Sequence, residues 1–220
     1  MVVALLAVQA LCDLELPSYT SDIINNGIQQ GGIEGGVPEV LTVDTFDAII
    51  SISSEDPAIL ASYDLYVTEN LSSRDLETLT NKYPLMETEN LYLLKDLTEE
   101  GKSIVEEHIK IPLIITTMLE SNNENLINTL NLTIPDNGTL LDAVLSLDKD
   151  TFNTVINSIT SSLEQLDSSV LDQYAVASVK TIYTNIGMNM DDYQMSYIID
   201  KGLMMLAIAA LGMVIAIIVG

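Results

Sequence analysis

The chain has two stretches with no polar face, and between them apolar residues recur at helical spacing. Residues 203–219 (LMMLAIAALGMVIAIIV) hold no charged or polar side chain. A bilayer's hydrocarbon core takes roughly 20 apolar residues as helix, so the pattern predicts a transmembrane helix over 193–220. Tyr193 and Tyr197 precede the run at the depth of an interfacial aromatic belt, and beside Asp200 the Lys201 ammonium can extend to water. Gly212 and Ala216, four apart, make a small-xxx-small pair that lets another helix pack closely. A soluble amphipathic helix would keep a polar side, and this one has none.

The opening, Met1 to Cys12, is apolar except for Gln9 but too short to cross a bilayer. A secretory leader would start with Lys or Arg and end at a small-residue cleavage site, and neither is present. The stretch reads as the outer part of a transmembrane helix whose beginning is missing, ending near Gly27. Gln9, Asp13 and Glu15 then lie near water or facing partner helices, because charges at such depth turn to a bundle interior or a cavity. Glycines 27, 31, 32, 35 and 36 release the chain into a loop.

Residues 28–192 read as helix after helix. TFDAIISIS (45–53) has apolar residues at 46, 49, 50 and 52. DPAILASYDLYV starts with Asp56 as N-cap and Pro57 in the first turn. SSRDLETLTNKY follows with Ser72 or Ser73 as cap. In LTEEGKSIVEEHIKIPLIITTMLES, Pro112 is expected to kink or end a helix at Ile111. SNNENLINTLNLTIPDNGT carries turn chemistry at both ends. Helices over 140–147, 149–166 and 170–186 complete the series. The expected fold is therefore all-α: two transmembrane helices, the first truncated, flanking a helical extracytoplasmic domain. The boundaries are 1–27, 28–192 and 193–220.

Charge sharpens this division. Between Ile28 and Ser196 there are 28 acids and 7 bases. Such a block repels phosphate backbones and excludes nucleic acid as a partner. It also disfavours an anionic lipid surface. The single cysteine, Cys12, allows no internal disulfide. NLS, NLT and NGT at Asn70, Asn131 and Asn137 match the glycosylation pattern, a match that chance explains in a block this rich in Asn, Ser and Thr.

No catalytic set emerges. His108, the only histidine, has no second ligand, Ser or Cys to act with and reads as a solvated helix-face residue. The Glu pairs at 99–100 and 106–107 have the oxygen ligands a hard cation takes, but no calcium-loop pattern surrounds them, so they read as solvated surface. No phosphate loop is present. These residues therefore bind no cofactor or metal by any pattern in the sequence.

CDLELPSYTSDIINNGIQQGGIE resembles the end of the first transmembrane helix in bacterial ABC exporters of the multidrug type. The matching residues are Leu16, Pro17, Asp22, Ile23, Ile24, Gly27 and Ile28. YIIDKGLMMLAIAALGMVIAIIVG is similar to the start of that family's second helix. The loop between them departs from most members, which join these helices briefly; versions with a large external domain occur in Gram-positive bacteria of the Firmicutes type. The resemblance implies a piece of a cell-membrane, multi-pass half-transporter with 28–192 outside the cytoplasm. It further implies a homo- or heterodimeric partner half-transporter, surrounding lipid, a cargo of unknown identity, and ATP with Mg in a nucleotide-binding domain beyond these residues. Asp13, Glu15, Tyr19 and Asp22 become candidates for the outer mouth of the translocation path, with hydrogen bonding to neighbouring helices or to the external domain as the competing role. Two other readings stand beside this one: a membrane-tethered extracellular sensor or adhesion module, and a secreted helical enzyme with a leader and a tail anchor.

Overall fold

The computed structural model describes residues 2–130, 132–136 and 138–219. The chain is mostly helical and divides into two compact units, Met1–Glu34 with Asn189–Gly220, and Gly35–Met188.

In the first unit, α1 (Val2–Asp22) runs into a π-helical turn, Ile23–Gln29, and α10 (Met190–Val219) packs against both. The packing follows from spacing. From residue 5 to residue 21 of α1, only Leu5, Gln9, Cys12, Leu16 and Tyr19 are withdrawn from solvent. Ile198, Lys201, Met205, Ile208, Gly212 and Ile215 form the matching row on α10. Alternating steps of three and four residues give the 3.5-residue repeat at which two helices interlock. The remainder of α10 exposes Leu203, Leu206, Met213 and Ile217. Among the described residues α10 is the one helix long and apolar enough to cross a membrane, with almost none of its apolar window buried by the rest of the chain. α1 is not so uniform, because Gln9, Asp13, Glu15, Pro17 and Asp22 interrupt it.

The second unit contains eight helices among its described residues. These are α2 (Val43–Ile52), α3 (Pro57–Ser62), α4 (Ser73–Lys82), α5 (Glu99–Glu120), α6 (Glu124–Leu130), α7 (Leu140–Leu145), α8 (Lys149–Leu163) and α9 (Ser168–Asn185). α5 is its central post. Ile114, Ile115 and Leu119 of α5 pack with Leu140 and Val144 of α7, Ile156 and Leu163 of α8, Ile52 of α2 and Ala175 of α9. A buried hydrogen bond joins Thr117 of α5 to Ser178 of α9, Oγ1 to Oγ, at 2.6 Å.

Three features depart from the sequence reading. First, the helix that begins at Asp56 stops at Ser62. Tyr63–Tyr66 is strand β2, which with β1 (Val40–Thr42) and β3 (Leu91–Leu94) makes an antiparallel sheet in the order β1-β3-β2. Tyr63 and Tyr66 are aromatics of the kind enriched in strands. The buried Tyr63 hydroxyl donates to the Pro38 carbonyl at 2.7 Å, while Tyr92 stacks on Phe46 with ring centroids 3.8 Å apart. Second, α5 runs unbroken through Pro112. Proline removes one rung of the ladder, but Pro112 and the five residues after it are all buried, so packing carries the helix past the missing bond. Third, the polar run 121–139 encloses α6. Of the three glycosylation patterns, Asn131 and Asn137 lie outside the described residues, and Asn70 is exposed at the end of a 3-10 turn.

Candidate functional site

A group of polar side chains of the first unit meets at the loop end of the helix pair. Lys201 Nζ lies 3.7 Å from Asp22 Oδ2 and 3.3 Å from Glu34 Oε1. The Asn26 amide donates to the Tyr197 hydroxyl at 3.3 Å, and Gln194 Nε2 donates to the Gly27 carbonyl at 2.7 Å. Gly27 is buried, and a Cβ placed there would meet Ile198 Cγ1 at 2.9 Å. Lys201 is therefore held by two carboxylates instead of reaching freely into water as the sequence suggested. Asn26, Gln194 and Glu34 escaped the sequence reading altogether. The one signal for them was that Lys201 is the only base in this unit.

These contacts fix a register. Thr20 lies across from Met205, their Oγ1 and sulfur 3.7 Å apart, and a Cβ on Gly212 would stand 3.8 Å from that of Cys12. Counting along the antiparallel pair sets Asp13 level with Leu211 and Glu15 level with Ala209. At 1.5 Å per residue, Asp13 is about 12 Å and Glu15 about 9 Å past Leu203, where the apolar run begins. Both carboxylates are exposed, and neither makes a hydrogen bond or ion pair with a described residue.

The four predicted path residues do not converge on one point. Glu15 and Asp22, two turns apart, share one flank of α1 with Ser18 between them, and half-buried Tyr19 stands at the edge of the seam. Asp13 precedes Glu15 by two residues and so points about 200° away around the axis. Gly212 faces α1 and Ala216 is exposed.

The second unit offers surface chemistry only. An open crevice of about 500 Å³ is lined by Asp44, Glu69, Glu87, Glu89, Thr68 and Asn90, a setting that repels anions. Burial pushes the Glu120 carboxyl up, with Asp142 and Asp44 adding to the rise and the Thr45 hydroxyl opposing it. No group of three or more His, Cys, Asp or Glu side chains among the described residues is arranged to hold a metal ion.

His108 is exposed on the face of α5 and is also paired. Its Nδ1 is 2.7 Å from Asp56 Oδ2, and Asp56 Oδ1 accepts the Ala58 and Ile59 amides at the start of α3. The Asp56 hydrogen bond raises the His108 pKa; partial burial works against Asp56, yet that bond and the two amides hold its carboxyl below the usual range. The imidazolium contribution is fully present below the ordinary histidine pKa of about 6.5 and is lost as pH rises through the higher folded value. The Asp56 contribution is present above about 4 and is lost as pH falls through its lowered value. Urea midpoints are thus expected to fall between pH 6 and 8, and His108→Gln should flatten that decline. An unchanged slope in the variant would assign it to other groups.

No family model, curated protein or solved structure matches this chain.

Proposed function

We propose that the chain forms part of the membrane domain of an ATP-driven exporter. In this reading α1 and α10 cross the membrane as neighbours, the Gly35–Met188 unit lies outside the cytoplasm, and ATP hydrolysis is supplied by a separate nucleotide-binding domain. The observation that carries the reading is the depth of unpaired charge. Membrane-embedded carboxylates are costly and turn to a bundle interior or a water-filled cavity, where they mark substrate pathways. Glu15 meets that condition about 9 Å past the start of the apolar run. Ser18 continues its flank towards the loop, where Lys201 already pairs with Asp22, so Glu15 is the carboxylate left to meet a cationic cargo.

The test is efflux of a permeant cationic dye from cells expressing the full-length protein. Glu15→Gln is the clean variant, because that side chain makes no hydrogen bond or ion pair with a described residue. ATP-dependent efflux is expected to fall several-fold with an unchanged amount of protein in the membrane. Parallel loss of protein and efflux would assign Glu15 to packing. Correct membrane insertion with no ATP-dependent efflux in the unaltered protein would favour a tethered sensor or adhesion module.

A further inference from the structure

Beside the seam that α10 occupies, α1 presents a second row at the same spacing. Leu6, Ala10, Asp13, Pro17 and Thr20 of α1 are separated by alternate steps of four and three residues, Ile24 in the π-helical turn follows them, and all are exposed. That 3.5-residue repeat is the spacing at which one helix seats another. The row is apolar or small except for Asp13 and for Thr20, which borders the α10 seam: its hydroxyl donates to the Leu16 carbonyl at 3.0 Å and lies 3.7 Å from the Met205 sulfur.

Asp13 decides what can cover this row. It lies about 12 Å past the start of the apolar run, where a carboxylate is expected to find a cationic or hydrogen-bonding partner. α10 cannot supply one: Lys201, the only base in the unit, is engaged by Asp22 and Glu34. A second copy of the pair brings the same seven acids and single base, with no cation at the level of Asp13. We infer that this row is the docking face for a separate transmembrane helix carrying a Lys or Arg level with Asp13. Ala10, one turn away, lets that helix approach closely. A single charged position in an otherwise apolar seam also fixes register, as a polar residue does at one core position of a coiled coil.

The inference rests on α1 and α10 lying in a membrane, and its test separates the two. The full chain is reconstituted in phosphatidylcholine vesicles and checked for resistance to alkaline extraction. Its association with two labelled polyleucine transmembrane peptides is then read by energy transfer. The peptides are identical except for one Arg or Leu at the matching depth. The Arg peptide should associate about tenfold more strongly, and Asp13→Asn should reduce it to the level of the all-leucine peptide. Equal association of both peptides would overturn the docking face while leaving the membrane reading intact. A preference removed by Glu15→Gln and not by Asp13→Asn would do the same. A chain washed off by alkali would overturn the membrane reading and the docking face together.

Discussion

Ile115→Ala should lower the unfolding free energy of the Gly35–Met188 unit by about 2–5 kcal/mol, the range for deleting a large aliphatic side chain from a packed core. Ile115 is wholly buried in the C-terminal half of α5, within the cluster that gathers α2, α7, α8 and α9. The side chain removed leaves a cavity in a cluster to which α2, α7, α8 and α9 all contribute. Domains of this size are stable by only about 5–15 kcal/mol, so the loss would be a large share of the total. Far-UV circular dichroism during urea titration in detergent reads it, since the chain has no tryptophan. Ile104→Ala on the same helix is the control. Ile104 is 48% exposed, and its truncation should cost well under half as much. Equal costs at the two positions would mean that the cluster does not behave as a cooperative core.

What the sequence disclosed about this unit depended on how local each signal was. Asp56-Pro57 and Ser72 announce helix starts with their own side chains, and the structure places caps there. α9 and α8 were readable because one face of each repeats at helical spacing. The sheet was not, because β3 must find β1 and β2 across long separations, and strands of three or four residues carry too little periodicity to declare themselves. Tyr63–Tyr66 therefore passed for the end of a helix. Pro112 misled for a related reason: proline's local penalty is visible in sequence, whereas the burial that offsets it is tertiary.

The helix pair shows the same limit in the candidate site. Asp13, Glu15, Tyr19 and Asp22 could be picked out as polar residues in an apolar setting, but which of them face α10 could not. That Asp13 and Glu15 occupy opposite flanks follows from helical geometry alone. Their depth follows only once Cys12 is set against Gly212 and Asp22 against Lys201, pairings between segments nearly 200 residues apart. The heptad row on α1 was obscured because Gln9 and Tyr19 are members of it, and a search for purely apolar stripes passes over them.

Gly32→Val should open the loop end of this pair. Gly32 has φ +85°, a left-handed conformation that costs an L-residue about 1–2 kcal/mol. A Cβ there would also lie 3.0 Å from Gln194 Cα and 3.1 Å from Tyr197 Cβ. The nearer atom is backbone, so no side-chain rotation relieves the contact, and overpacking of this kind adds about 1–3 kcal/mol. Together the two effects amount to about 3 kcal/mol, or roughly a hundredfold in a local opening equilibrium. Tyr197 and Gln194 are also the residues that bond Asn26 and Gly27, so displacing α10 here loosens the π-helical turn as well. Hydrogen exchange in detergent micelles should show amides of Ile23–Gln29 and of residues 190–201 exchanging about a hundredfold faster in the variant. Gly202→Ala is the matched control, because a Cβ on Gly202 meets nothing within 4 Å. If both substitutions left exchange alike, the close approach at Gly32 would not be what holds the two helices in register.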